Sequence, residues 1–310
     1  MSTLTIKLLN FEGAFNLPLW VAGELGYFRQ HGLVVECDYT RGSVDMVNRL
    51  QSGDAQIALT SIDNVIAYAS GHGEAGDLKT LDLVAFMGGD RGMLSLTARD
   101  GIAAVPELRG TTLAVDAMTT GFAFALRKTL ERHGVPEDEI EFVAAGGTGN
   151  RYRQLMAGTF DATLVRTPFE VLAQARGFTA LAAISDVFPA YLGTVGASRR
   201  DWLDANRDVA VSFMLAYRRA LKWIFDESNR PDACAMLARY FTELSAQECE
   251  AVLAALLDPK KGLILDMSIP DEGVEQVKSI RESITGLNSA AALTYVSREL
   301  LDQARENVVW

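Results

Sequence analysis

Hydrophobic positions in the first two thirds of the chain follow two spacings. Short apolar runs, typical of buried strands, alternate with segments in which apolar residues recur at helical spacing. The predicted strands are residues 4–10, 33–39, 55–61, 81–89, 93–100, 112–117, 140–146, 160–166 and 179–185. The predicted helices are residues 17–32, 43–53, 62–71, 103–110, 120–134, 149–158 and 168–177. Strands that alternate with amphipathic helices predict βαβ units and a mainly parallel sheet, and therefore an α/β fold.

From residue 204 onward the pattern is helical alone, and an apolar run at residues 189–198 precedes it. The simplest topology with this order has two α/β lobes, the second inserted into the first, and a helical tail that packs on lobe one. Lobe one comprises residues 1–96 plus 198–310, and lobe two comprises residues 97–197. We predict a hinge near residues 96–99 and 193–197, where small residues suit the backbone rotations of domain closure.

One passage occurs nearly twice. Residues 49–65 read RLQSGDAQIALTSIDNV, and residues 154–170 read QLMAGTFDATLVRTPFE. In each copy a helix ends on a glycine, a short strand follows, and a polar pair opens the next helix. The two pairs are Thr60-Ser61 and Arg166-Thr167. Because strand ends that lead into helix N-termini bind ligands in open α/β sheets, the repeat predicts two similar lobes around one small-molecule cleft.

Length, composition and charge narrow the class of protein. The chain has 310 residues, enough for two domains, and its 49% hydrophobic and 22% charged residues are typical of a soluble globular protein. The net charge of −11 argues against a nucleic-acid partner, because there is no lysine and arginine field to neutralise phosphates. We also expect a monomer.

The cysteines and histidines give no reason to expect a metal or another cofactor. The three cysteines form no CxxC pair, and their odd number leaves no complete disulfide framework, so free thiols are the preferred interpretation. Cys234 and Cys249 both fall in predicted helices, which leaves a pairing between them as the alternative. His31 and His133 lie in equivalent helix-end turns, where a capping role is favoured over metal binding.

Location is left open by the sequence. The printed chain starts directly with a strand-like run and contains neither a signal-like segment nor an apolar run long enough to span a membrane. One interpretation is a periplasmic or cell-surface protein from which a signal peptide was removed. The alternative is a cytoplasmic protein.

Four longer motifs occur in order along the chain. They are LPLWVAGELGYFRQHGLVVECDY, LQSGDAQIALTS, PELRGTTLAVDAMTTGFAFALRKTLERHGV and MAGTFDATLVRTPF. With these motifs the chain resembles the nitrate/sulfonate/taurine and pyrimidine-precursor group of type II periplasmic binding proteins. The resemblance covers most of the chain. It implies the two-lobe type II fold and a solute-binding protein that delivers a small organic ligand to an ABC permease.

Candidate ligand-binding residues come from loops at the C-terminal ends of strands in both lobes. They are Asn10, Phe11, Glu12, Asn16, Thr60, Ser61, Gly88, Gly89, Met118, Thr119, Thr120, Gly147, Arg166 and Thr167. Asn16 is equally suited to capping a helix and to contacting a ligand. The glycine-rich run that contains Gly147 precedes a helix and suits an anion, although it lacks the lysine of a nucleotide P-loop. Thr119 occupies a position that is usually glycine in the resembling family.

Arg166 follows a strand that we predict to be buried, and a buried arginine is costly to leave unpaired. It either pairs with a protein carboxylate, Glu12 or Asp90, or binds a ligand carboxylate or sulfonate, which we slightly favour. Aromatic residues nearby favour a small organic acid or heterocycle. They are Phe11, Phe15, Phe122, Phe124 and Tyr191, although helical spacing allows only one of Phe122 and Phe124 to reach the cleft.

Two alternatives to a transport receptor stay open, an enzyme on the same fold and a cytoplasmic ligand sensor. The enzyme would carry out pyrimidine-precursor synthesis or aromatic-acid decarboxylation. The predicted cleft loops contain no Ser/His/Asp or Cys/His constellation and no lysine, so we expect binding without catalysis.

Overall fold

Two five-stranded mixed sheets organise the protein, which is described by a computed structural model over residues 3–76 and 80–306. The strands are β1 Leu4–Asn10, β2 Leu33–Tyr39, β3 Ile57–Ser61, β4 Leu83–Gly88, β5 Leu94–Ala98, β6 Thr112–Val115, β7 Glu141–Ala144, β8 Ala162–Arg166, β9 Thr179–Ala183 and β10 Thr194–Arg199. Sheet one has the order β2-β1-β3-β10-β4, and sheet two has the order β7-β6-β8-β5-β9.

Helices flank both sheets. The α-helices are α1 Leu17–Glu24, α2 Tyr27–Gln30, α3 Ser43–Ser52, α4 Ile62–Ala69, α5 Gly121–Arg132, α6 Thr148–Met156, α7 Phe169–Gln174, α8 Ile184–Val187, α9 Arg200–Ala205, α10 Arg207–Phe225, α11 Arg230–Tyr240, α12 Ala246–Leu257, α13 Asp271–Thr285 and α14 Glu299–Glu306. Short 3-10 turns occur at Ala14–Asn16, Val105–Leu108, Glu137–Glu139, Glu227–Asn229 and Ala292–Tyr295.

The two sheets share one plan, as the internal repeat predicts. In sheet one β1 pairs in parallel with β2 and β3, and β10 lies antiparallel between β3 and β4. In sheet two β6 pairs in parallel with β7 and β8, and β5 lies antiparallel between β8 and β9. The two copies of the repeat fold as α3-β3-α4 and α6-β8-α7, each with its strand in the centre of its sheet. The predicted α/β fold with an inserted second lobe is confirmed.

The chain crosses between the sheets earlier than the predicted hinge. β5 already pairs with β8 and β9, so the outward crossing lies at residues 89–93 rather than 96–99. β10 pairs with β3 and β4, so the return is complete before residue 194, whereas the predicted segment is 193–197. Both predicted segments coincide with strands because small residues such as Ala98 and Gly196 fit a crowded sheet as well as a hinge. We refer below to sheet one with its helices as the first lobe, and to sheet two with its helices as the second lobe.

The helical tail packs mainly on the first lobe, with two exceptions. α10 lies against α1, α2 and α14, and α11 lies against α1. α13 contacts α4 of the first lobe and also α5 of the second, and α12 contacts α7 of the second. The tail therefore touches both lobes, which the sequence did not predict.

Local chemistry explains where helix predictions differ from the structure. The predicted helix over residues 17–32 is two helices, because Gly26 adopts a left-handed conformation with φ 74° between them. The predicted helix over residues 103–110 is only the 3-10 turn Val105–Leu108. The predicted strand over residues 179–185 ends at Ala183, where α8 begins.

Two large apolar clusters form the core. One packs α1, α10 and α12 around sheet one, and the other combines side chains of both lobes with α4, α5 and α13. Cys37, Cys234 and Cys249 are free thiols in the structure. Within the described residues, no helix combines the length and the apolar character needed to cross a lipid bilayer.

Candidate functional site

A cavity lies between the lobes, where the C-terminal ends of β1, β2 and β3 face those of β6, β7 and β8. It measures about 150 Å³, which suits a ligand of about one six-membered ring. Its lining residues are Phe11, Arg41, Gly42, Ser43, Val44, Leu59, Thr60, Ser61, Asn64, Glu74, Asp116, Ala117, Thr120, Gly121, Phe122, Gly146, Gly147, Thr148, Arg151 and Arg166. The position is that of ligand sites in open α/β sheets.

Several sequence-predicted residues lie in this lining. They are Phe11, Thr60, Ser61, Thr120, Gly147 and Arg166. Among the aromatic candidates, Phe122 also lines the cavity, while Phe124 is buried beneath the Arg281 guanidinium. This agrees with the helical spacing, which allows only one of these two rings to reach the cleft. Phe11 and Phe122 present apolar surface from opposite lobes.

Asn10, Asn16, Gly88 and Gly89 of the first lobe lie outside the lining. Asn16 is buried, and its Nδ2 donates hydrogen bonds to the carbonyls of Phe11 and Gly13, so it holds the loop that carries Phe11. Asn10 is buried at the end of β1. Gly88 and Gly89 pack against backbone, since a Cβ on Gly88 would meet the Ser268 carbonyl. Their lack of a side chain therefore serves chain packing.

The other predicted residues outside the lining make contacts around its edge. Glu12 lies 3.5 Å from Arg153 Nη1, and Met118 is exposed at the surface. The backbone N–H of Thr119 donates to Glu74 Oε1 over 3.1 Å. The Thr167 hydroxyl donates to Glu170 Oε1 over 2.5 Å.

The structure adds lining residues that the sequence did not predict. The main addition is the segment Arg41, Gly42, Ser43 and Val44 after β2. This segment directly follows the C-terminal end of a strand, as do the loops that the sequence analysis chose. The sequence therefore contained the information needed to predict it, and the prediction omitted it. Asp116 directly follows β6, so the same rule would also have predicted it as a lining residue. The rule could not have predicted Glu74, which lies in a long loop, or Arg151, which lies inside a helix.

Arg166 pairs with a carboxylate of the protein. Its Nη2 lies 2.6 Å from Asp90 Oδ2, and its Nη1 donates to the Thr194 hydroxyl over 3.0 Å. The guanidinium carbon lies 3.7 Å from the centre of the Phe15 ring. Both charged side chains are buried, while Arg166 Nε is buried without a hydrogen-bond partner in the described structure. Asp90 thus compensates the charge of the guanidinium, and the Nε–H remains as a donor without an acceptor.

Helix N-termini converge on the cavity from both lobes. α4 is capped by Ser61, whose hydroxyl accepts from the Asn64 N–H, and α5 is capped by Thr120, whose hydroxyl accepts from the Ala123 N–H. α3 and α6 begin after Gly42 and Gly147 and have no side-chain cap. Each N-terminus carries partial positive charge and free N–H groups, so this arrangement favours an anion.

Arg151 brings a buried cation to the same side. It is 1% exposed, and its guanidinium donates to the carbonyls of Gly146 and Leu164 and to the Thr163 hydroxyl. It also donates to the Thr148 hydroxyl; all four partners are neutral, and no described carboxylate forms an ion pair with it. Burial lowers the pKa of Arg151, and the more distant Asp116 opposes this shift.

Two carboxyl groups balance part of this charge. Asp116 accepts from the Thr120 hydroxyl over 2.5 Å. Burial raises the pKa of Glu74, in spite of its hydrogen bond from the Thr119 backbone. In the described parts of the chain, no group of three or more histidine, cysteine, aspartate or glutamate residues is arranged to hold a metal ion.

The lobes touch each other around the cavity. The Ala14 N–H of the first lobe donates to the Thr167 carbonyl of the second over 2.8 Å. Behind the cavity, Arg281 of α13 forms a double hydrogen bond with Asp63 of α4 and also donates to the Thr119 carbonyl over 3.2 Å. The structure is therefore a closed arrangement of the two lobes.

Comparisons with known proteins agree with this fold. Residues 16–230 match the family model described as NMT1/THI5 like. No curated protein sequence matches the chain.

Solved structures share the architecture over nearly the whole chain. The periplasmic nitrate-binding protein NrtA from Synechocystis has a TM-score of 0.83 and 14% identity, covering 99% of this chain and 89% of its own. The alkanesulfonate-binding protein SsuA from Xanthomonas axonopodis, solved with MOPS, has a TM-score of 0.74 and 14% identity, covering 98% of both chains. The desulfurization enzyme DSZB has a TM-score of 0.67 and 14% identity, covering 97% of this chain and 99% of its own. The shared fold thus hosts both binding proteins and an enzyme.

Proposed function

Because this chain belongs to the NMT1/THI5-like family, we propose that it is a solute-binding protein of an ABC importer, which captures a small organic anion between its lobes. One observation supports an anionic ligand. Uncapped helix N-termini and the buried Arg151, which lacks a carboxylate partner, face one cavity. A bound anion compensates positive charge that the protein leaves uncompensated. The apolar surface of Phe11 and Phe122 suits an organic body attached to that anion.

Binding is favoured over catalysis by the chemistry of the lining. Its described residues include no histidine, cysteine or lysine, and two of its hydroxyls have structural partners, since Ser61 caps α4 and Thr120 donates to Asp116. A hydroxyl or thiol nucleophile is commonly activated by a histidine, a lysine or an N-terminal amine, and the described lining offers none of these bases. Asp116 and Glu74 are the acidic lining residues, and each accepts a hydrogen bond from a threonine.

The proposed partner is an ABC permease, and the proposed location is the periplasm or cell surface. The nitrate-binding and alkanesulfonate-binding neighbours support this proposal by analogy. Closure of two lobes around a solute gives a permease a surface to distinguish loaded from empty receptor.

A thermal-shift screen tests the proposal. The panel contains small carboxylates, sulfonates and pyrimidines, each beside an uncharged analogue of equal size. A receptor should be stabilised by an anionic compound and not by its analogue, by about 2.7 kcal/mol at a concentration 100 times the Kd. Stabilisation by none of the anions would overturn the proposal. Conversion of a bound compound into a new product, detected by mass spectrometry, would show an enzyme instead.

A further inference from the structure

Two helices, one in each lobe, begin at the cavity with a glycine in the N-cap position. Gly42 precedes α3 and Gly147 precedes α6, where serine, threonine, aspartate or asparagine would provide a cap. Both glycines have extended backbone, and a Cβ added at either would meet no atom within 4 Å, so neither the backbone nor crowding requires glycine there. Of the helices α3, α4, α5 and α6, which begin at the cavity, α4 and α5 have a side-chain cap, whereas α3 and α6 have none.

The two glycines are equivalent in the internal repeat. Gly42 stands before Gly53 at the same spacing as Gly147 stands before Gly158. Because the repeat folds as the same α-β-α unit in both lobes, α3 and α6 bring equivalent N-termini to opposite walls of one cavity.

The first-turn N–H groups of both helices lack protein partners in the described structure. On α3 these are the N–H groups of Ser43 and Val44, and on α6 those of Thr148 and Gly149. Asp45, in the first turn of α3, turns its carboxylate to the Arg41 N–H and the Thr40 hydroxyl instead. Such donors are a ready site for an anion.

Two buried arginines in the same lining point independently to an anionic ligand. Arg151, in the first turn of α6, is 1% exposed and has only neutral hydrogen-bond partners. Arg166 is 4% exposed, and its Nε has no partner. A buried donor without an acceptor and a buried cation without a counter-charge both cost folding free energy. An anionic ligand removes this cost by accepting the hydrogen bond and compensating the charge.

We propose that the ligand's anionic group binds between these two helices, with its oxygens on the N–H groups of Ser43 and Val44 and of Thr148 and Gly149. This subsite rests on the proposed receptor function and specifies where the anion is held. The neighbouring carboxylates of Asp116 and Glu74 repel a second negative charge, so the ligand is a carboxylate or sulfonate monoanion rather than a phosphate dianion.

Substitutions at the two glycines test the subsite. Gly147→Asp and Gly42→Asp each supply a side-chain cap that occupies the free N–H groups and repels an anion. The matched controls Gly147→Ala and Gly42→Ala leave these groups free, and a Cβ meets no atom within 4 Å at either position. We expect the aspartate variants to bind the best carboxylate or sulfonate of the screen at least about tenfold more weakly than the alanine variants at the same positions.

A folding check and a direct probe complete the test. Each aspartate variant should have a thermal midpoint at or above that of the wild type, because the new cap stabilises its helix. Methanesulfonate, titrated against isotope-labelled wild-type protein, should give saturable NMR shifts of the Ser43, Val44, Thr148 and Gly149 amides. Absence of these shifts, or unchanged affinity in folded aspartate variants, overturns the subsite. If a screened anion still stabilises the protein in that case, the receptor function stands without it.

Discussion

Arg281 and Asp63 form a buried, doubly hydrogen-bonded ion pair, with Nε–Oδ1 and Nη2–Oδ2 distances of 2.7 Å. Asp63 lies in the first turn of α4, whereas Arg281 lies on α13, far along the chain. Arg281 also donates to the Thr119 carbonyl of the second lobe. One side chain therefore links the first lobe, the second lobe and the helical tail.

Breaking this pair should destabilise the protein strongly. Asp63→Ala or Arg281→Ala leaves one charge buried and unpaired, which costs about 3–5 kcal/mol of unfolding free energy. The double variant Asp63→Ala/Arg281→Ala should lose less than the sum of the two single losses, because no charge is left behind. Urea unfolding of the four proteins measures these energies. Simple additivity would mean that the two residues are not coupled.

Closure of the lobes should be sensitive to the size of residue 121. Gly121 begins α5, and a Cβ there would overlap the Asp63 carboxylate, which Arg281 holds in place. Gly121→Ala should therefore weaken binding of the best compound of the thermal-shift screen by about tenfold, an overpacking penalty of about 1–3 kcal/mol. Isothermal titration calorimetry measures the affinity.

Gly23→Ala is the control for this experiment. Gly23 lies in α1 outside the cavity lining, and its added Cβ would meet no atom within 4 Å. Its affinity should stay close to that of the wild type. Equal losses in both variants would show that lobe contact at Asp63 has no special role.

The ion pair between Arg166 and Asp90 should contribute to the stability of the folded protein. Arg166→Ala leaves the buried Asp90 carboxylate without its guanidinium partner. The free energy of unfolding, measured in urea, should fall by about 3–5 kcal/mol. Adding Asp90→Asn to this variant should recover part of the lost unfolding free energy, because asparagine has no buried negative charge. An Arg166→Ala variant as stable as the wild type would mean that Asp90 is satisfied by other donors, such as the Gly92 and Thr194 N–H groups.

Glu170 should make stability fall as pH rises. Burial, which outweighs the hydrogen bond from Thr167, raises the pKa of Glu170 to about 7. The unfolded chain releases this proton near pH 4.3, so between about pH 4.3 and 7 the folded state holds more protons and loses stability with rising pH. Glu170→Gln should therefore become more stable relative to the wild type across this window, by about 1–3 kcal/mol at pH 8.

Glu248 provides a control of opposite sign. Its hydrogen bonds with Ser245 lower its pKa, so its contribution is present at neutral pH and is lost as pH falls through its own titration. Thermal unfolding from pH 4 to 8 is measured for Glu170→Gln and Glu248→Gln. A pH-independent difference between Glu170→Gln and the wild type would contradict a raised pKa.

The fold was largely predictable because its signals are local. The bounds of β1 and β2 agree with the predicted strands, since both segments are rich in leucine and β-branched residues. The repeat correctly predicted equivalent units in the two sheets. The course of α12 and α13 onto the second lobe was not predictable, because it depends on contacts between helices distant in sequence.

The candidate site was predictable in part. The rule that ligands bind at strand ends led to Ser61, Thr120 and Gly147, which line the cavity. The same rule also selected Gly88, whose neighbour in space is the backbone of a distant segment. Arg151 lies within a helix, and only the folded structure shows that its side chain turns inward beside α6.

The insertion of one lobe into the other has a consequence for biosynthesis. In sheet one β4 pairs with β10, and its Ala85 also bridges to Val296, so both neighbours of this strand are synthesised long after it. All strands of sheet two are encoded between β4 and β10. A growing chain thus has the complete second lobe before it can close the first sheet, and the lobe that emerges first from the ribosome is finished last.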